Sequence, residues 1–395
     1  MKRNKTTQKK PNHLLGQISF ILFLTGASFA LNTHQDLQQV KPANWSRRLL
    51  KPIIINLDLP PSERLNNLHE AYAEILKVQE PILMKKVTVV FGNSKTLFKM
   101  ITKLLRFIYY MKTNSEMFDE IQSISKKTGV DISLLMLTNY YYDLINQKLC
   151  TTIVARSSQG EVLFASNLDF SFPEELGKLA FYGNFMKNGE TVFLGQGLYG
   201  LVGVLRGTVP GKFSVAINQR PTGRSDAFRR IFFSNAFENV YFLRKVLETQ
   251  KSYVEAKKML ETAQINSYAY YVIAGVSDNE GAVIERNNDS IHDEYFLSDK
   301  NWFLVQSNYD RDQPDNPKDP RRTAAEKKLR ARGPKDLALS DLDKILKEYP
   351  NHQITERSAT ITTVLARNDE NNEFTVYVWD HPLGPGHRDG ALAEE

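Results

Sequence analysis

The spacing of apolar positions changes near residue 150. Before it, apolar residues recur every three to four positions. PSERLNNLHEAYAEILKVQ (61–79) has this spacing, with Ser62 as a candidate cap. TLFKMITKLLRFIYYMK (96–112) repeats it with Lys and Arg between the apolar positions, which predicts a basic amphipathic helix. A further helix is expected over 114–127, leading through TGVD to SLLMLTNYYYDLI. Ahead of these, PIIINLDLPP reads as extended.

From Cys150 onward the period becomes two. CTTIVARS and EVLFASNLDF flank SSQG, a hairpin signature. Residues 190–220 continue as strands with a PG turn, and 227–263 return to helical spacing. YAYYVIAGVSDNEGAVIER predicts strand–turn–strand, WFLVQSNYD a short strand, and ATITTVLARNDENNEFTVYVWD a terminal hairpin. The Pro- and charge-rich stretch 312–335 is expected to be loop. Helices followed by a strand-rich block with inserted helices favour α+β or layered α/β over a doubly wound parallel sheet.

Composition adds a compartment. The chain has 395 residues, 51 Lys and Arg against 45 Asp and Glu, and a net charge of +6. Several cations lie in MKRNKTTQKK, which precedes the apolar segment LLGQISFILFLTGASFA. Ser28 and Ala30 stand at −3 and −1 of a cleavage site, so residues 1–30 read as a secretory signal peptide, with an uncleaved anchor as the alternative. An exported protein with one cysteine forms no internal disulfide. Its thiol is either buried and inert or kept for reactivity.

Several chemistries lack support. None of the seven histidines adjoins Cys150, and His381 and His387 lie in a Pro/Gly tail better read as solvated than as a metal site. There is no P-loop, CxxC, GxSxG or nucleotide-binding glycine motif, and no nucleic-acid module. No cofactor is expected. A cysteine opening a strand suggests another device. If the chain were cut before Cys150, the new α-amino group would lie beside the thiol and act as its base.

Here the sequence resembles the acid ceramidase and N-acylethanolamine acid amidase family. Cys150-Thr-Thr-Ile-Val-Ala, Gly160 and Asn167-Leu-Asp169 are similar to its CTSIVA…G…GRNxD signature. Asn56-Leu-Asp-Leu-Pro-Pro, the block from Gly200 to Gly207, Gly211-Lys-Phe-Ser, Asn218-Gln-Arg, Gln306-Ser-Asn-Tyr-Asp-Arg311 and Arg321-Arg-Thr match further motifs in order. The resemblance implies an N-terminal-nucleophile hydrolase, α+β, with a four-layer αββα sandwich. It implies a self-cut between Leu149 and Cys150, separating a mostly helical subunit (31–149) from a catalytic subunit (150–395), the two chains of one precursor staying together.

By that resemblance Cys150 is the nucleophile, Asp169 the acid that orients the α-amino group, Asn308 the oxyanion-hole amide and Arg322 the arginine of RRT. Ser166 stands where the family has arginine, and Gln219 where it has glutamate. If these two face each other, a buried ion pair has become a neutral pair. Water or another arginine, such as Arg220, is then expected in the gap beside Ser166. The implied substrate is a fatty-acyl amide, ceramide or N-acylethanolamine, in a secreted, lysosomal or other lumenal compartment. Residues 96–112 are then a candidate contact with a lipid surface, or simply a core helix. The rival reading is a catalytically impaired member that binds lipid.

Overall fold

The computed structural model describes residues 46–89, 94–111, 116–144, 150–170, 173–221, 226–317, 319–347, 359–369 and 372–380. The expected signal peptide, Leu149, and His381 and His387 lie outside them. Two short strands, β1 (Arg47–Leu49) and β2 (Pro52–Asn56), precede four helices. These are α1 (Asn66–Val89), α2 (Lys95–Met111), α3 (Glu116–Thr128) and α4 (Ile132–Leu144). Helix α4 buries Leu134, Leu135, Met136, Leu137, Tyr140 and Tyr142, an almost wholly interior surface. In α2, Phe98, Ile101 and Leu105 are buried, whereas Lys99, Lys103 and Arg106 face solvent. The lysines are therefore on the wet face that the periodicity predicts.

Next come β3 (Thr151–Arg156) and β4 (Val162–Asp169), the expected hairpin. Gly160 supplies the turn's left-handed residue, with φ of 89°. There follow α5 (Pro173–Gly177), β5 (Ala180–Lys187), β6 (Glu190–Leu198), β7 (Arg206–Val209) and β8 (Phe213–Gln219). Three helices, α6 (Ala227–Phe233), α7 (Asn239–Thr249) and α8 (Tyr253–Thr262), precede β9 (Ala269–Ala274), β10 (Gly281–Arg286), β11 (Ile291–Phe296) and β12 (Phe303–Gln306). Last are α9 (Arg321–Arg332), α10 (Leu339–Lys347), β13 (Thr360–Arg367) and β14 (Glu373–Trp379).

Helix α9 corrects the reading of 312–335 as loop. RRTAAEKKLRAR consists of good helix formers, but its apolar stripe is only Ala325 and Leu329, too narrow to show as periodicity among so many charges.

The strands form two sheets. One runs β1-β14-β13-β4-β3-β12, and the other β11-β10-β9-β8-β7-β6-β5-β2. All pairs are antiparallel except β2 with β5. The outward side chains Ile153, Ala155, Leu163 and Ala165 of the first sheet pack on Leu329 of α9 and on Leu342 and Ile345 of α10. The second sheet is covered by α7 and α8, with Leu243, Val246, Leu247 and Leu260 buried. Strands β3 and β4 of one sheet pack on β8 and β9 of the other. The layering is thus αββα, as expected. Gly203 lets α7 approach this closely, since a Cβ there would lie 2.4 Å from the carbonyl oxygen of Val240.

The mostly helical N-terminal segment also contributes to both sheets. Its strands β1 and β2 provide one edge of each sheet. Helix α3 is tied to α7 by Glu120 and Arg244, both buried, at 2.8 Å.

Candidate active site around Cys150

Cys150 is the residue immediately before β3, and it is 4% exposed. Its thiol donates to the main-chain oxygen of Asp169 at 3.9 Å. That contact follows from the hairpin register, which sets Thr151 opposite Asn167 and brings the start of β3 to the end of β4.

Arg321, the first residue of α9, grips the main chain of Cys150. Its Nη1 donates to the Cys150 carbonyl at 2.8 Å and to Thr151 Oγ1 at 3.3 Å, and lies 3.8 Å from Asp169 Oδ2. Its Nη2 donates to Asn308 Oδ1 at 3.1 Å. Asp319 holds the guanidinium in this pose, accepting from Nε at 2.7 Å and Nη2 at 2.8 Å. Asn308 in turn donates from Nδ2 to the carbonyl of Gln219 at 2.8 Å. Cys150, Asp169, Asn308 and Arg321 therefore form one buried cluster.

Arg322, the arginine picked from the RRT motif, points elsewhere. Its guanidinium donates to the carbonyls of Asp310, at 3.1 Å, and Gln313, and pairs with Asp315 at 3.2 Å, bracing the loop before α9. Adjacent positions at a helix start differ by about 100° in direction. A doublet of arginines does not reveal in sequence which one turns inward.

Ser166 and Gln219 do not share a partner in the way the ion-pair idea requires. Ser166 Oγ lies 2.8 Å from Thr152 Oγ1, which donates across the sandwich to Asn218 Oδ1 at 3.0 Å. Successive strand residues point to opposite faces. Asn218 turns inward, and Gln219 turns outward to donate to the carbonyl of Tyr142 in α4 at 2.7 Å. The gap beside Ser166 is filled by Arg206 of β7, whose Nε donates to Ser166 Oγ at 3.0 Å and whose Nη2 donates to the Asn167 carbonyl at 2.9 Å. Arg220, the expected substitute, is instead held by both carboxylate oxygens of Asp310, at 2.6 and 2.8 Å. Arg206 lies inside the Gly200–Gly207 block, but its partners lie on the other sheet, so the motif carries no sign of its role.

Behind the Asn308 loop, Glu285, His292 and Asp310 place ligand-type atoms within 4.8 Å of one another. Arg220 and Tyr270 already occupy Asp310, so an arginine supplies the positive charge there. Burial raises the Glu285 carboxyl to about 7, against an opposing hydrogen bond from the Arg311 main chain.

Beside the cluster lies an apolar cavity of about 70 Å³. Leu76, Leu134 and Tyr141 of the N-terminal helices line it together with Leu168, Phe170 and Leu205. Leu168 and Phe170 flank Asp169, so the cavity adjoins the residue that touches the thiol.

No family model matches the chain. Over 314 residues it is 31% identical to the N-acylethanolamine-hydrolyzing acid amidase of Caenorhabditis elegans, covering 75% of this chain and 84% of that protein. It is 29% identical over 330 residues to acid ceramidase of Rattus norvegicus, covering 79% and 82%. Against acid ceramidase of Homo sapiens it is 29% identical over 347 residues, covering 83% and 86%. A solved structure of the C. elegans amidase superposes with a TM-score of 0.49 at 31% identity, covering 55% of this chain and 92% of that chain.

Proposed function

The chain belongs to the acid ceramidase and N-acylethanolamine acid amidase family, and we propose that it is an amidase that hydrolyses a fatty-acyl amide with Cys150 as an N-terminal nucleophile. The observation that carries this is the buried cluster in which Arg321 grips the Cys150 main chain while contacting Asn308 and Asp169.

Activation is a cut before Cys150. The thiol adds to the Leu149 carbonyl, the peptide nitrogen leaves as the new α-amino group of Cys150, and water hydrolyses the resulting thioester to free the Leu149 carboxylate. In turnover that α-amino group takes the thiol proton, and the thiolate attacks the acyl carbonyl. Asn308 Nδ2 carries a second hydrogen beyond the one given to Gln219, and this N–H stabilises the oxyanion. A single such donor is commonly worth ~3 kcal/mol. The ammonium group returns its proton to the departing amine. Water then releases the fatty acid from the cysteine. Asp169 accepts from the α-amino group, and Arg321 positions the nucleophile rather than Arg322.

The apolar cavity lies beside Asp169 and is walled partly by N-terminal helices; at about 70 Å³ it has room for only a short part of an acyl chain next to the amide. The 1–30 segment supports export to a lysosomal, secreted or other lumenal compartment. Exposed Lys99, Lys103 and Arg106, with Met100 and Phe107 also exposed on α2, support peripheral contact with a lipid surface. No helix of the described residues is long and apolar enough to cross a membrane.

The test is release of fatty acid from an N-acylethanolamine and from a ceramide in mixed micelles at mildly acidic pH. Wild type should hydrolyse at least one, and Cys150→Ala neither. Binding of both lipids without hydrolysis would overturn the amidase reading and leave a lipid-binding member.

A further inference from the structure

We propose that Arg206 supplies, from the eight-stranded sheet, the guanidinium that the family signature places at the position of Ser166, and that it is a positioning residue for the Cys150 site. The proposal rests on the amidase reading above and adds a residue that the signature does not contain.

Arg206 is completely buried on the inward face of β7. Its partners are neutral oxygens, Ser166 Oγ and the Asn167 carbonyl, and Nη1 has no hydrogen-bond partner among the described residues. A buried cation without a carboxylate is costly to the fold. Packing alone would be met better by a leucine or methionine in this layer, so stability does not account for the charge.

Its location does. Thr152 and Ser166 are register partners on β3 and β4, and Thr152 follows Cys150 by two residues on the same face of the strand, about 6–7 Å along it. The guanidinium therefore sits one side chain away from the nucleophile's strand. Its grip on the Asn167 carbonyl also fixes the end of β4 that carries Asp169, whose own carbonyl meets the thiol. The remaining Nη1 is a donor for an acceptor that enters the site.

Arg206 and the small side chain at 166 are sterically complementary. An arginine at 166 would project from the first sheet into the space that Arg206 now fills from the second. Serine leaves that space empty and offers Oγ to Nε. The guanidinium thus comes from the second sheet and occupies the inner layer beside Ser166.

The experiment compares wild type, Arg206→Met, Ser166→Arg, and the double variant Ser166→Arg with Arg206→Met. Fatty-acid release gives kcat and KM, and iodoacetamide gives the alkylation rate of Cys150. Melting curves identify chains that are folded. Arg206→Met should lose roughly 100-fold in kcat with KM changed less than threefold. The double variant, with its guanidinium returned to the first sheet, should recover to within about tenfold of wild type. Ser166→Arg alone should be impaired, because two guanidinium groups then compete for one space. Alkylation should follow the same non-additive order.

An Arg206→Met chain within threefold of wild type in both readouts would overturn the proposal. So would a folded double variant no better than Arg206→Met. Should Arg206→Met fail to fold, recovery in the double variant decides the matter. If wild type hydrolyses no acyl amide, the amidase reading fails by itself, and the alkylation rates still test Arg206.

Discussion

Glu120→Leu should destabilise the protein by about 3 kcal/mol, because it strands a buried cation at the junction of the N-terminal helices with the sandwich. Arg244 Nη2 donates to Glu120 Oε1 at 2.8 Å, and a second bond joins Nη1 to the other carboxylate oxygen. Both side chains are about 1% exposed or less. Burial opposes the arginine's charge, but the carboxylates of Glu120 and Glu248 outweigh it and raise its pKa. Removing one partner of such a pair costs roughly 3–5 kcal/mol. The low end applies, because Glu248 still accepts from Nε at 2.8 Å and the Val202 carbonyl from Nη1 at 2.7 Å. Glu120→Leu with Arg244→Met removes both charges. It leaves the Val202 carbonyl unpaired, at about 1–3 kcal/mol, while Glu248 keeps Lys245 at 2.8 Å. The double variant should therefore be no less stable than Glu120→Leu alone. Thermal melts of these variants in a Cys150→Ala background, which keeps one chain, read the difference. A drop of roughly 4 °C is expected for Glu120→Leu. A drop under about 2 °C, or a double variant that loses the sum of both singles, would refute the reasoning. If the chain is cut before Cys150 as proposed, this pair joins the two fragments, and Glu120→Leu should also weaken their association.

Other outcomes follow from named contacts. Glu285, raised to about 7 by burial, contributes stability that is full below pH ~4.5 and is lost as pH rises through ~7, a change of up to about 3 kcal/mol. Glu285→Gln should melt higher than wild type at pH 8 and the same at pH 4; equal melts at pH 8 would remove the effect. His69, lowered to about 4 by burial and then by Lys127, has the opposite sign, its contribution being lost as pH falls from ~6.5 through ~4. His69→Gln should flatten the melting temperature across that window, and an unchanged slope would count against a neutral buried histidine. Arg321→Met should abolish amidase activity while Arg322→Met lowers mainly stability, as compared by kcat and melting; the reverse order would restore the motif-based choice. Reversing charge at Lys99, Lys103 and Arg106 should weaken binding to anionic vesicles in sedimentation, each surface cation contributing about 1 kcal/mol; unchanged binding would leave α2 as a core-covering helix.

The layered fold was legible because the strands around Cys150 alternate and the buried helices keep their period. What was hidden depended on contacts distant in sequence. Nothing in PIIIN shows that β2 pairs in parallel with β5, or that β1 lies against β14. Helix α9 was lost among its charges. The motifs placed Cys150, Asp169 and Asn308 in one cluster, since Cys150 precedes β3, Asp169 ends β4 and Asn308 follows β12, all strands of the same sheet. They did not resolve Arg321 from Arg322, which differ only in facing. They also missed Arg206, whose significance appears only when the opposite sheet is laid over Ser166. The imagined pairing of Ser166 with Gln219 failed on strand alternation alone, because Asn218 and not Gln219 faces inward.

The central claim is that Cys150 becomes a chain's first residue and carries the acyl group. Wild-type protein processed at mildly acidic pH can be given an N-acylethanolamine, quenched in acid within one turnover and examined by peptide mass spectrometry. The account predicts a fragment whose first residue is Cys150, bearing one acyl group as a thioester on that cysteine. Acyl amide hydrolysis by an uncut chain, or an acyl adduct on any other residue, would contradict it.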